Sequence, residues 1–435
     1  MNPKTIDDIA AQLQGYDPKS LRASDVGRFL EQLVEPVAEI EQVGVFDALQ
    51  RVLARDIVSP ISVPPHDNSA MDGFAFDGSA LHAGAPLTLS VVGTALAGEP
   101  WQGQVGPGEA LKIMTGAVMP AGLDTVVPQE LATVRDARVT IAADVLTRGD
   151  NRRKRGEDLL QGQAALRQGE WLGPAALGLI ASLGLAEVSV RRRLKVAYFS
   201  TGNEILSLGE SARPGAVYDS NRYTVFGLLT RMGVQMVDMG VVPDEPAALE
   251  TAFLAAAKQA DAIITSGGVS VGEADYTKAM MRKLAGSAGG VAFWRIAMRP
   301  GRPMAVGRIA AGAPGRPRSA VLFGLPGNPV AVMVTFLAFV RPALLRMMGS
   351  QASPTPMLRA HSLEPIRKKA GRTEYQRGIV STGADGRLQV CTTGNQGSGV
   401  LSSMVQANGL IVLSHDQGNV AAGDEVDVMV FDGAI

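Results

Sequence analysis

The residues of this 435-residue chain that could do chemistry fall into a few short stretches. In Thr265–Tyr276 (TSGGVSVGEADY), Gly267, Gly268 and Gly272 let backbone N–H groups approach an anion. A following helix N-terminus would favour phosphate. Asp275 could hold a divalent cation beside it. The loop lacks both the GK[ST] of a P-loop and the GxGxxG of a dinucleotide fingerprint. In Phe323–Pro329 (FGLPGNP), Gly327 and Asn328 supply turn geometry and Pro329 opens a helix. A proline-stiffened turn with no ligand reads that stretch equally well. Glu204 in TGNE and Asp244 in PDEP each follow an apolar run, and with Asp275 they could put three carboxylates along one sheet edge. Such a set suits Mg²⁺, which takes one or two carboxylates plus phosphate oxygens. Taken singly, each acid is better read as an ordinary turn or helix-cap residue. Arg295, Arg299 and Arg302 bring guanidinium forks that grip oxyanions, with a solvated loop as the competing reading. Arg152, Arg153, Lys154 and Arg155 lack interleaved aromatics and read as a solvated face. Asp72-Gly73 reads first as a turn.

These stretches need elements to position them. Continuous apolar runs at 194–200 (LKVAYFS), 234–242, 260–266 and 319–324 precede the Gly-rich or acidic loops and alternate with helical patterns. That implies a parallel sheet covered on both faces, with ligands at its carboxyl edge. Residues 24–34 and 45–55 predict amphipathic helices, the first capped by Ser24 or Asp25. Pro174 opens a short helix over 174–184. Short β-like runs between Gly/Pro turns predict a small β module over 87–150 and a β-barrel or sandwich over 351–435.

Composition narrows the classes. Hydrophobic residues make up 46% and charged residues 19%, which predicts a globular chain. A formal net charge of −1 argues against a nucleic-acid coat. One cysteine, Cys391, excludes an intrachain disulfide or zinc ribbon, and four scattered histidines disfavour a His-rich metal site. Met1–Leu21 carries no secretory pattern. The apolar run Val330–Val340 is about half the length needed to span a bilayer and predicts a buried helix. A cytoplasmic protein with no nucleic-acid or membrane partner is expected.

The ordered set of motifs resembles one family. DNSAMDGFA (67–75), MTGAVMPAGLDTVVPQE (114–130), RRKRGEDLL (152–160), FSTGNEIL (199–206), SGGVSVGEADY (266–276), RPGRPMAVG (299–307), GLPGNPV (324–330) and TGNQGSG (393–399) all match it. The family is molybdopterin molybdenumtransferase, MoeA, related to the gephyrin E-domain. The resemblance runs from about residue 24 to 435 and implies a reaction: Mg²⁺-dependent insertion of molybdate into adenylylated molybdopterin with release of AMP, the last step of molybdenum cofactor synthesis.

It also implies roles. Glu204 and Asp275 match the metal and phosphate acids. Thr201, Gly202, Gly267, Gly268, Ser270 and Gly272 match the cofactor-binding loops. Pro326, Gly327, Asn328 and Pro329 match the stiff loop beside the pterin nucleotide. Asp244 matches a functional acid of the same edge. Asp72, Thr115, Arg153 and Asp158 match second-domain residues expected to reach a partner subunit's cleft. Arg377 and Ser398 match positions near the molybdate site. Arginine stands at 295, 299 and 302 where the family usually has lysine, and the two are not interchangeable.

The implied architecture is multidomain α/β plus β. A discontinuous helical and mixed N-terminal domain (1–59 plus 150–193) carries an inserted β module (60–149). A three-layer α/β domain with a mostly parallel sheet (194–350) precedes a C-terminal β-barrel-like domain (351–435). A homodimer with the site between subunits is expected, with the molybdopterin adenylyltransferase and molybdoenzyme chaperones as further partners. Two competing functions are the adenylyltransferase, whose loop reads GGTG where this chain has Gly267-Gly268-Val269-Ser270, and a non-enzymatic cofactor carrier or scaffold.

Overall fold

The computed structural model describes residues 4–269, 276–285, 290–311, 319–351 and 355–431. Its central sheet has six strands. Four are parallel neighbours in the order Gln235–Val242, Lys195–Thr201, Ala262–Ser266, Ser319–Leu325. Pro303–Ala310 and Val291–Arg295 extend the sheet antiparallel. These two strands were not foreseen, because only pairing to a neighbour distinguishes them from loop. The inner strands are buried along nearly their whole length, which is why they read as unbroken apolar runs.

Helices cover both faces. Ser220–Arg231 and the helical run from Pro329 pack on one through Val225, Leu229, Val330 and Phe336. Pro246–Gln259 and Tyr276–Ala285 pack on the other through Leu249, Phe253 and Met281. The chain order reverses at Lys195–Thr201, so the loops after Thr201 and Ser266 diverge and open a crevice at the carboxyl edge.

The helical run from Pro329 spans the apolar stretch 329–347 that the sequence marks as one helix. It continues through a π-helical segment, Phe336–Val340, to Met347. Among the described residues this one run, Pro329–Met347, is long and apolar enough to cross a membrane, yet 67% of its apolar window is buried inside the chain.

The remaining regions carry their own cores. Strand Ile40–Gly44 pairs antiparallel with Glu187–Arg191, and Pro174–Ser182 forms the expected Pro-opened helix beside them. Six strands in the order 125–128, 73–76, 109–113, 87–95, 138–141, 132–135 form the module between these two halves. Five C-terminal strands close into a barrel, since Thr373–Thr382 pairs with both Leu388–Thr392 and Gly409–Leu413.

Two local expectations are corrected. Residues 45–55 are not a helix: a 3₁₀ turn, Val45–Ala48, gives way to extended chain. There Gln50 takes φ 60, and the backbones of Gln50 and Leu53 donate to Leu172 and Glu170. Tertiary hydrogen bonds outweigh helix propensity over so short a segment. The first long helix runs Ala23–Leu33 with Arg22 at its N-cap, so neither Ser24 nor Asp25 caps it. The residues before it are packed rather than appended. Ile9 and Phe29 are fully buried, the Phe29 ring meets Trp294 edge-on at 4.9 Å, and the Trp294 indole N–H donates to the Tyr16 hydroxyl at 2.9 Å.

Candidate functional site

A cleft of about 990 Å³ lies at the carboxyl edge of the central sheet. Ser200 and Thr201 end one strand of its floor; Ser266, in register with Ser200, ends the next. Beneath them the Tyr198 hydroxyl meets Ser200 Oγ at 2.8 Å and Ser266 Oγ at 2.7 Å. Burial pushes the Tyr198 phenol above its ordinary range, so it stays protonated, and its hydroxyl bridges both strand ends.

The turn after Ser266 depends on its glycines. Gly267 has φ 89, and a Cβ there would stand 2.5 Å from the Thr201 carbonyl oxygen. Gly268 has φ 63, and its Cβ would meet Thr277 at the same distance, 2.5 Å. Only glycine lets these strand ends come so close. At Gly202 a Cβ would collide with the Glu204 carboxylate at 2.6 Å, which shows Glu204 folded back over the first turn.

Pro326, Gly327, Asn328 and Pro329 form the adjoining wall. Asn221 Nδ2 donates to the Gly327 carbonyl at 2.8 Å, and Asn328 Nδ2 donates to Ser398 Oγ at 3.0 Å. The Val330 N–H donates to the Ser398 carbonyl at 3.2 Å. A loop of the C-terminal barrel is thereby tied to the start of an α/β helix.

Arg299 and Arg302 also line the cleft, and Gly301 between them packs against the helix that Pro329 opens. Met298–Arg299 pairs in parallel with Thr373 and Glu374 of the barrel, which places Arg299 where the two units meet. Arg377 lies beside it, fully buried. Its guanidinium donates to the carbonyls of Asn395, Gln396 and Gly397 at 2.9–3.2 Å and to Ser403 Oγ at 2.9 Å. Burial, and then the nearby Arg299 charge, pull the Arg377 guanidinium down to about 10. Arg377 therefore holds the loop that presents Ser398, and most of its donors are already used.

The cleft thus gathers Thr201, Glu204, Gly267, Gly268, Arg299, Arg302, Pro326, Gly327, Asn328, Pro329 and Ser398. Ser270, Gly272 and Asp275 lie outside the described residues. Asp244 sits at the end of a neighbouring strand and outside the cleft lining. Its N–H donates to Asn203 Oδ1 at 3.2 Å, and its carboxylate accepts from the Thr277 hydroxyl at 3.4 Å. Arg295 is exposed on an edge strand outside the cleft, its N–H bonded to the Pro18 carbonyl.

Asp72, Thr115, Arg153 and Asp158 are not brought to the cleft within the chain. All four are exposed. Asp72 accepts from the Thr115 N–H and hydroxyl, both at 2.7 Å, and the backbone bond above all holds its carboxyl below the ordinary 3.8. Arg153 pairs in register with Asn68 on the strand just before Asp72.

Sequence reasoning missed Tyr198, Ser200, Ser266, Asp219, Asn221 and Gln396. The available signals were faint: hydroxyl residues two apart on an apolar strand, and a Asp-Ser-Asn turn opening a helix.

Family models match three segments in order. Residues 23–184 match the MoeA N-terminal region (domains I and II), 197–346 a probable molybdopterin binding domain, and 359–431 the MoeA C-terminal region (domain IV). A molybdopterin molybdenumtransferase from Haemophilus influenzae is 42% identical over 93% of this chain and 96% of its own length. A relative of the same name from Nostoc sp. is 33% identical over 90% of this chain and 88% of its own. The crystal structure of the molybdopterin biosynthesis MoeA protein from Pyrococcus horikoshii OT3 superposes with a TM-score of 0.78 at 25% identity, covering 95% of this chain and 100% of its own. The chain belongs to the molybdopterin molybdenumtransferase (MoeA) family.

Proposed function

We propose that this chain is a transferase that inserts molybdenum into molybdopterin, taking adenylylated molybdopterin and molybdate and releasing AMP. The observation that carries the reading is the composition of one cleft. The glycine turn at Gly267 and Gly268 shares one cleft of about 990 Å³ with Arg299, Arg302 and the Ser398 loop. The turn suits the pyrophosphate, and the arginine forks suit a tetrahedral oxyanion. Cleaving the phosphoanhydride beside the bound oxyanion then requires mainly positioning and charge neutralisation.

Mg²⁺ fits this cleft. Among the described residues no group of three or more His, Cys, Asp or Glu side chains is placed to hold a metal. Mg²⁺ does not need one, because phosphate oxygens and waters complete its shell around one or two carboxylates. Glu204, folded over the first turn of the cleft, would be one ligand, with Asp275 as its expected companion. The ion would neutralise charge on the phosphoanhydride.

The inserted module supplies its residues from a second copy of the chain in this reading, making the working unit a cytoplasmic homodimer. The exposure of Asp72, Thr115, Arg153 and Asp158, away from their own cleft, supports it. The divisions at 59/60, 149/150, 193/194 and 350/351 are supported by the three six-stranded sheets, which fall in 60–149, 194–350 and, apart from Met298–Arg299, 351–435, while the core around Phe29 is shared between the N-terminal helices and the α/β unit.

The test is AMP release from adenylylated molybdopterin with Mg²⁺, with and without molybdate. Molybdate-dependent release together with formation of the molybdenum cofactor is expected. Tight binding with no release would leave a carrier.

A further inference from the structure

Among the described residues, the side chains of the two cleft arginines, Arg299 and Arg302, have no hydrogen-bond or ion-pair partner. The backbone of their loop therefore sets where the guanidiniums reach. That loop is closed at its base by the Ile296 N–H, which donates to the Arg302 carbonyl at 2.7 Å. Two of its anchors belong to regions already described. Met298–Arg299 pairs with the barrel, and Gly301 lies against Thr335, where a Cβ would stand 2.5 Å from the hydroxyl oxygen.

The third anchor is the N-terminal segment, which precedes residue 23, where the match to the MoeA N-terminal region begins. The Arg295 N–H donates to the Pro18 carbonyl at 2.8 Å, the Leu21 N–H to the Arg295 carbonyl at 3.1 Å, and the Ala297 N–H to the Leu21 carbonyl at 2.8 Å. Leu21 thus pairs in parallel with Ile296, the residue whose N–H closes the loop. Just upstream, the Trp294 indole N–H donates to the Tyr16 hydroxyl at 2.9 Å, and the Tyr16 ring stacks on Phe29 at 6.1 Å. Helix Ile6–Gln12, opened by a reciprocal cap between Thr5 and Asp8, buries Ile6 and Ile9 in the core that holds Leu21, Trp294 and Ile296. A helix this short has little stability of its own, so its order comes from docking. Covering the core needs only apolar contact. The three backbone bonds do more, because they fix the register of residues 295–297 and so the direction in which the chain enters the arginine loop.

We infer that the segment 4–22 is a positioning element of the cleft, which places Arg299 and Arg302 through its hold on residues 295–297. No residue of the segment lines the cleft, so it acts only through the arginine loop. The inference rests on the functional reading above for the oxyanion that these arginines grip. Bidentate guanidinium contacts depend on geometry, and small misplacements are costly. A loosened segment should weaken the grip on molybdate and spare the glycine turn that receives the adenylylated substrate.

The experiment uses the full chain with three substitutions. Tyr16→Ala removes the stack on Phe29 and the acceptor of the Trp294 N–H; Tyr16→Phe removes the acceptor and keeps the ring. Ile180→Ala, in the separate core beside Pro174–Ser182, controls for general destabilisation. The readouts are hydrogen–deuterium exchange over residues 295–302 and the half-saturating concentrations of molybdate and of adenylylated molybdopterin in AMP release. In Tyr16→Ala, the exchange rate and the half-saturating molybdate concentration should both rise about tenfold, as a locally opened and displaced loop would give. In Tyr16→Phe both should rise about threefold, the scale of one lost hydrogen bond. Half-saturation by adenylylated molybdopterin should stay within about twofold in both variants, and all three readouts within about twofold in Ile180→Ala. Unchanged exchange in Tyr16→Ala would overturn the inference. So would faster exchange with an unchanged molybdate response, or the same molybdate shift in Ile180→Ala. If Tyr16→Ala does not fold, Tyr16→Phe carries the same readings. A wild type that releases no AMP sinks the functional reading instead, and exchange over 295–302 still decides whether the segment holds the loop.

Discussion

The cleft of the α/β sheet and the Asp72 patch of the inserted module both carry residues matched by the same family motifs, yet they are built in opposite ways. In the cleft, functional groups stand on buried strand ends, and the turn between them tolerates only glycine at Gly267 and Gly268. Acceptors such as Asp219 Oδ2 remain without partners. In the module, Asp72 is exposed and already bonded twice to Thr115. The cleft is preorganised by its buried strand ends. The patch is self-satisfied and open, as expected of a surface that works by meeting another. Geometry should therefore dominate the effects of substitutions in the cleft, and charge those in the module.

The largest effect should come from Gly267→Ala. The new Cβ would stand 2.5 Å from the Thr201 carbonyl at a φ of 89, forcing the turn to move. Displacing the turn by about 1 Å should cost on the order of a hundredfold in AMP release, with far-UV circular dichroism unchanged. Wild-type rates in this variant would break the claim that the turn is preorganised.

Arg377→Ala should come next and should act on stability as much as on rate. It strips the donor from three carbonyls and the Ser403 hydroxyl. At roughly 1 kcal/mol for each of the four lost bonds, a loss of about 4 kcal/mol is expected in a denaturant melt. Turnover should fall with it through displacement of Ser398. A fully stable but inactive variant would instead make Arg377 a direct oxyanion ligand.

Glu204→Gln sharpens the metal assignment. The Mg²⁺ concentration for half-maximal AMP release should rise roughly tenfold, equivalent to about 1.4 kcal/mol of metal affinity. No change in the Mg²⁺ titration would remove Glu204 from the metal site.

Thr115→Val, in the module, should have the smallest effect on stability and a distinctive pH dependence. The Asp72 carboxyl is lowered in the folded chain, so its stabilisation is present above the ordinary 3.8 and is lost as pH falls through the lower folded value. The gap in thermal midpoint between wild type and Thr115→Val should be constant near neutrality and close as pH falls below about 3.8. A gap that persists in acid would mean that Thr115 stabilises by packing and not through the Asp72 charge.

The legibility of the sequence follows the same contrast. Strands such as Lys195–Thr201 and Ala262–Ser266 were readable because burial on both faces writes an unbroken apolar run. Helices opened by Pro174 and Pro329 were readable because proline fixes φ where the helix needs no N–H. The run 45–55 misled because its apolar spacing also suits extended chain bonded to Glu170 and Leu172, partners more than a hundred residues away. Arg295, Arg299 and Arg302 looked alike in sequence. Pairing of Met298–Arg299 to the barrel puts Arg299 in the cleft with Arg302, while Arg295 stays on an edge strand.

Residue type and spacing by themselves determined the α/β alternation, the glycine turns at the carboxyl edge and the family, because local φ preferences and burial patterns are written in neighbouring residues. Tertiary structure alone decided which arginine faces the cleft and that Arg377 holds a loop. It also decided that Asp219 and Asn221 are left with unpaired acceptors, and that the Asp72 patch stands apart from its own cleft. Those outcomes depend on which distant segments share a wall, and no local pattern encodes hydrogen-bond partners a hundred residues apart.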